Sequence, residues 1–174
     1  MHTPFTTIVL LLTTAVLLTG CQEEPQDQPT VPETPYIPVL DAEGIADLRK
    51  QASDADKVLV IDCWATWCSS CVAMFPHLHE EIKKRGDGVI LASLSFDEGG
   101  DEMLHQVAAF LDKQVAWDNA YRAADGSDAK DAIVKALSDN WDGGALPAVF
   151  VYKPDGTTAY ELLDTRGEVQ DWVD

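Results

Sequence analysis

The chain has 174 residues, the length of one domain with appendages, and its 46% hydrophobic and 24% charged residues are ordinary for a globular core. Its 30 acidic against 12 basic residues give a net charge of −18, which argues against a nucleic-acid partner because a phosphate backbone would be repelled.

In chain order, the first feature is the apolar run Ile8 to Leu18 (I-V-L-L-L-T-T-A-V-L-L). It has the length of a signal-peptide core and falls short of the ~20 residues of a membrane span. It leads into L-T-G-C, Leu18 to Cys21, which resembles the bacterial lipobox, although the preceding segment has His2 and no Lys or Arg. The expectation is a signal peptide over residues 1–20, lipidation of Cys21, and an exported lipoprotein on the periplasmic face of a bacterial membrane. Acyl chains anchor by ~0.8 kcal/mol per buried CH₂. Gln22 stands where many inner-membrane lipoproteins of enterobacteria have aspartate, which points to the outer membrane. A plain signal peptide or membrane anchor with a chance cysteine is the simpler alternative.

Gln22 to Pro38 carries five of the nine prolines and only acidic charges, so it reads as a semi-rigid polyproline-like tether with nothing to bury. The expected organisation is therefore signal peptide 1–20, tether 21–40 and folded domain 41–174.

Asp41 can cap a helix running through I-A-D-L-R-K. Lys57 to Trp64 (K-V-L-V-I-D-C-W) is a near-continuous apolar run suited to a central strand covered on both faces. A helix is expected from about Cys68 to Arg85, and a second buried strand over Gly88 to Phe96. Glu102 to Lys113 reads as a helix with Met103, Val107, Phe110 and Leu111 on one face. Another runs over Asp128 to Ser138, capped by Ser127. Ala148 to Lys153, then P-D-G, then T-T-A-Y-E-L-L reads as a β-hairpin, with a last helix from Thr165. This order implies an α/β fold with a mixed sheet.

The chemistry concentrates in D-C-W-A-T-W-C-S-S-C, Asp62 to Cys71. A disulfide across two residues closes a loop too small to staple a chain entropically. At a strand end opening into a helix, the same pair is better placed for redox work. The first thiol then meets unpaired helix N–H groups at the positive end of the dipole. That favours thiolate, lowering the value from ~8.5 toward or below neutrality. Cys71, one turn deeper on the same face, is placed to pair with it. Cys68 is thus the candidate nucleophile and Cys71 the resolving thiol. Cys63, opposite in direction to Asp62 on a strand, reads as a buried small hydrophobe.

The stretch V-I-D-C-W-A-T-W-C-S-S-C resembles the thioredoxin active site, commonly V-D-F-W-A-x-W-C-x-x-C, at Asp62, Trp64, Ala65, Trp67, Cys68 and Cys71. Pro76 fits the proline that kinks the family's active-site helix. Leu146-Pro147 before A-V-F-V-Y looks like its cis-proline loop, with Trp141 at the place of an aromatic six residues earlier. The resemblance runs from about Val58 onward, and the longer segment between Phe96 and Trp141, with an export signal, is more like the membrane-anchored TlpA/ResA branch. It implies a thioredoxin-like fold, a central mixed sheet flanked by helices, with a helical extension between the second core strand and the cis-proline loop. It also implies roles. Asp62, buried with a raised pKa, would serve as general base for Cys71. Leu146 and Pro147, with Trp67 at the rim, would bind a substrate strand by edge addition. Trp64 reads as structural.

The function implied is a thiol–disulfide oxidoreductase for extracytoplasmic protein disulfides, with no cofactor beyond the Cys68–Cys71 disulfide. The TlpA/ResA likeness favours a reductant supplied by a membrane electron-donor protein. Ser69-Ser70 is neither the Gly-Pro of thioredoxins nor the Pro-His of strong oxidants, and such dipeptides move potentials over on the order of 150 mV. Met74 stands where ResA-like proteins carry a glutamate, so their cytochrome-specific arrangement does not transfer. Two alternatives are a thioredoxin-fold copper chaperone and a non-enzymatic membrane-tethered binding module. For metal, Cys68 and Cys71 would need His77 or His79. His77 lies about 9 Å further along the helix on another face, no second C-x-x-C exists, and both histidines read as solvated. The acidic F-D-E-G-G-D-E, Phe96 to Glu102, reads as a strand-to-helix loop.

Overall fold

The computed structural model describes residues 34–162. The expected signal peptide, Cys21, most of the tether and the helix from Thr165 lie outside the described residues. The elements run β1 (Val39–Leu40), α1 (Ala42–Asp54), β2 (Val58–Trp64), α2 (Ser69–Lys84), β3 (Val89–Ser95), α3 (Asp101–Gln114), β4 (Ala120–Ala123), α4 (Ser127–Leu137), β5 (Ala148–Tyr152) and β6 (Thr158–Leu162), with a 3-10 turn at Gly86–Gly88.

One six-stranded sheet has the order β1-β4-β3-β2-β5-β6. β2 sits inside it, parallel to β3 and antiparallel to β5. Both of its faces are covered, which is why its sequence is apolar at nearly every position. Leu59, Ile61 and Cys63 pack with Ile45 and Leu48 of α1 and Ile133 and Leu137 of α4. Val60 faces Leu78 and Ile82 of α2, and Trp64 joins Phe75 of α2 with Val107 and Leu111 of α3. The strand's two-residue period therefore puts Asp62 under α2 and Cys63 in the opposite layer.

Helix α1 starts as the sequence indicates: the Asp41 carboxylate accepts from the Gly44 N–H at 2.8 Å. Helix α2 buries Cys71, Phe75, Leu78 and Ile82, a spacing that keeps one face on the sheet, and carries Pro76 inside it. The cap expected at Ser127 is not made. Gly126, with φ at 98°, holds the N-cap position, and Ser127 has already entered the helix. The Ser127 hydroxyl donates instead to Asp128 Oδ1 at 3.4 Å.

The extension between β3 and the Leu146-Pro147 loop is not wholly helical: β4 lies between α3 and α4 and pairs with both β3 and β1. The sheet also takes in residues upstream of Asp41. Ile37 is buried with Trp64 and Phe75, and the Pro38 carbonyl accepts from the Arg122 N–H at 2.9 Å. The end of the proline-rich segment thus has something to bury after all. Among the described residues no helix is long and apolar enough to cross a membrane.

Candidate active site

Strand β2 and helix α2 are joined by Ala65 to Cys68, and this loop is held from two sides. The Cys68 N–H donates to the Ala65 carbonyl at 3.1 Å. The Asp97 carboxylate accepts from the Thr66 N–H at 2.9 Å and from the Thr66 hydroxyl at 2.5 Å, and also from the Ser95 hydroxyl at 2.8 Å. The loop's shape is therefore fixed by a carboxylate just past the end of β3.

Cys68 is the N-cap of α2 and is disulfide-bonded to Cys71, with their Cα atoms 5.2 Å apart. Its sulfur accepts from the Cys71 N–H at 3.2 Å and lies 3.4 Å from the Ser70 hydroxyl. Both donors stand where a negative sulfur would form. Cys68 is 7% exposed and Cys71 1%, so the first sulfur is the one an incoming disulfide can reach.

The Leu146–Pro147 peptide bond is cis. Leu146 packs against the cluster that contains both cysteines. Trp67 is 66% exposed, and with Phe96, Val134 and Leu146 it lines one open groove. Glu98 and Lys130 form an ion pair on that groove's wall. Trp141 braces the loop from behind: its indole N–H donates to the Ala145 carbonyl at 3.2 Å, and its ring meets Phe96 and Phe150.

Asp62 is buried opposite Ser93 of β3 and Val149 of β5. Burial pushes its carboxyl above the ordinary value of 3.8, and the His79 imidazole pulls it part of the way back. Nε2 of His79 is 3.6 Å from Asp62 Oδ2. The reading of His79 as a solvated helix residue is thereby corrected. It follows Phe75 by four residues, so it shares the buried face of α2, and the two rings stack 3.8 Å apart. His77 is exposed, as expected. Trp64 is buried and donates its indole N–H to the Ser93 hydroxyl at 2.7 Å.

Cys63 is buried with a free thiol, and burial first, then the charge of Asp62, pushes that thiol well above its ordinary value of 9.0. Cys63 is fully buried in the layer opposite Asp62, among core side chains. Among the described residues no group of three or more His, Cys, Asp or Glu side chains is placed to hold a metal ion.

Two contributors escape sequence reasoning. Asp97 reaches Thr66 across 31 positions, a link no local pattern announces. For His79 a signal existed in its spacing from Cys71 and Phe75.

The thioredoxin family model matches residues 44–139. A thioredoxin of Alicyclobacillus acidocaldarius is 41% identical over 49 residues, which is 28% of this chain and 47% of its own. A probable thioredoxin-2 of Caenorhabditis elegans is 29% identical over 63 residues, 36% of this chain and 43% of its own. The chain spans about half the length of the curated relatives it matches. Among solved structures, a thiol:disulfide interchange protein of the thioredoxin family from Chlorobium tepidum superposes with a TM-score of 0.53 at 19% identity, covering 76% of this chain and 89% of that one. A thioredoxin-related protein from Neisseria meningitidis does so with a TM-score of 0.53 at 23% identity, covering 67% and 82%. A secreted disulfide oxidoreductase from Mycobacterium tuberculosis gives a TM-score of 0.50 at 19% identity, covering 72% and 80%. At these identities the likeness is one of fold.

Proposed function

Because the chain belongs to the thioredoxin family, we propose that it is a thiol–disulfide oxidoreductase acting on protein disulfides through Cys68 and Cys71. The observation that carries this reading is the bonded cysteine pair at the start of α2, its outer sulfur facing two donors and its inner sulfur buried. In the reducing direction, Cys68 thiolate attacks a substrate disulfide, and a mixed disulfide forms as one substrate sulfur leaves. Cys71 then displaces the other substrate sulfur, and the Cys68–Cys71 bond closes. Asp62 takes the proton of Cys71 in that second step, acting as general base. The substrate strand lies along Leu146 and Pro147 with Trp67 beside it, a placement supported by the groove that Trp67 and Leu146 both line.

The further reading is an exported lipoprotein held through Cys21 at the periplasmic face of a membrane, working as a reductant that a membrane electron-donor protein recharges. The apolar run ending in L-T-G-C supports the anchor, and the fold likeness to a secreted disulfide oxidoreductase supports export. No cofactor beyond the disulfide is required.

The test is insulin reduction by wild type and Cys68→Ser, with the reduction potential of the Cys68–Cys71 couple measured on the same preparation. Loss of activity in the variant and a strongly negative potential are expected. Equal rates would leave only a binding module, and a potential near that of oxidising folding catalysts would reverse the direction.

A further inference from the structure

Asp62 and His79 are an unusual pair of neighbours. Neither carboxylate oxygen of Asp62 nor Nε2 of His79 makes a hydrogen bond, although all three atoms are buried. A buried polar atom without a partner costs stability, so a polar group close by matters. For each, the other is such a group, 3.6 Å away.

The environment isolates the pair. Across the sheet Asp62 faces Ser93 and Val149, neither of them ionisable in this range. The Ser93 hydroxyl already accepts from Trp64. Cys63 points into the other layer, and α3 contributes Phe110 against Phe75. From α2 the groups on this face are Cys71 and His79. His79 is also the one member of the pair with an outlet: its side chain is 19% exposed and lines a groove with Pro76 and Lys83. The other charged groups of that groove are Lys57, Glu80, Asp87 and Asp118, and no described ion pair joins any of them, or Lys83, to Asp62 or His79.

We propose that His79 is a positioning residue for the reaction's proton, holding the ionised form of Asp62 and carrying the proton Asp62 accepts out to the groove. This rests on the oxidoreductase reading above. In the resolving step Cys71 gives its thiol proton to Asp62, and its sulfur bonds to that of Cys68. The bond between Cys68 and the substrate breaks, and the substrate leaves as a thiolate that takes a proton from water. The two electrons pass from the cysteine pair to the substrate. Asp62 then hands its proton to Nε2, and the imidazolium releases one from its exposed edge. Sequential acid–base groups of this kind keep a buried base ready for the next turnover.

The inference is tested on the full chain, with aspartate labelled at the carboxyl carbon and titrated by NMR in wild type, His79→Gln and His79→Phe. Gln keeps polarity without a charge, and a cooperative melt certifies each variant as folded. The Asp62 signal is expected to titrate at higher pH once the imidazole is gone. Release of a labelled peptide from its mixed disulfide with Cys68 should then slow about tenfold at pH 7 in His79→Gln, a share of the ~10²-fold a positioned base supplies. Its pH profile should move with the NMR titration. In an Asp62→Asn background the same substitution should change release less than about twofold, because two groups acting as a unit are not additive. An unmoved Asp62 titration, or additive losses in the double variant, overturns the role of His79. Equal insulin reduction by wild type and Cys68→Ser overturns the oxidoreductase reading instead, and the NMR titration still decides the pairing.

Discussion

Asp97 binds Thr66 twice, accepting from its backbone N–H and from its hydroxyl, and so ties the end of β3 to the loop that delivers Trp67 and Cys68. Three donors converge on that carboxylate when the Ser95 hydroxyl is included. Removing the acceptor strands all of them. Asp97→Ala is expected to destabilise the fold by about 1–3 kcal/mol, the cost of leaving such groups unsatisfied. Urea unfolding of the oxidised protein measures it. Disulfide reduction should fall as well, because the attacking sulfur loses its fixed position.

The hydroxyl of Ser70 stands 3.4 Å from the Cys68 sulfur. In the reduced protein it can donate to the thiolate, alongside the Cys71 N–H. A hydrogen bond of this type contributes about 0.5–1.5 kcal/mol net. Ser70→Ala should therefore slow alkylation of reduced Cys68 by iodoacetamide near neutral pH by about threefold, with Ser70→Thr close to wild type. An unchanged rate in the alanine variant would remove Ser70 from the site.

Asp62 makes stability depend on pH in an unusual direction. Its folded value lies above 3.8, so the folded state binds this proton more tightly than the unfolded chain does. Stability from this group is full below the ordinary value, declines as pH rises from there through the folded value, and stays reduced above it. Asp62→Asn should raise the melting temperature at pH 7, by about 4 °C per kcal/mol for a chain of this size, and leave it nearly unchanged at pH 3. The same variant should slow the resolving step by ~10²-fold at neutral pH. Calorimetry across that pH range checks the first effect and stopped-flow release the second.

Trp67 is exposed on the rim of the groove that Leu146 also lines. Exposed aromatic side chains of this kind supply contact energy to partners and little to folding. Trp67→Ala should lower kcat/KM for insulin by about tenfold while the melting temperature changes little. Reduction of a small aromatic disulfide should be less affected. Equal losses on both substrates would instead assign Trp67 to shaping the cysteine loop.

The parts legible in the sequence were those where one local rule dominates. β2 and β3 are seven-residue strands that open on apolar, largely β-branched runs, and Asp41 announces α1 through its side-chain cap. The C-x-x-C carries its own spacing. β4 is different: it is four residues long, A-Y-R-A, with Arg122 inside it, and it exists because β1 and β3 flank it. No periodicity survives over so short a strand. The cap at Ser127 failed by one residue, a displacement that helix ends commonly show. Histidine on a charged helix suggests solvent, yet its place four residues after Phe75 turns His79 inward. Asp97 depends on a contact between two loops, which only the assembled sheet creates.

The order of the strands has a mechanical corollary. β1 is joined to the sheet through β4 alone, and β4 and β3 both separate it from the strand that carries Asp62. A pull transmitted along the upstream chain therefore loads the two-residue strand at the margin, where the Pro38 and Leu40 carbonyls accept from the Arg122 and Ala124 N–H groups. That margin is not remote from the sulfur pair, because Ile37, just ahead of it, is buried in the same cluster as Trp64, Cys68 and Cys71, so a load on the sheet's edge reaches the cysteine loop through packing.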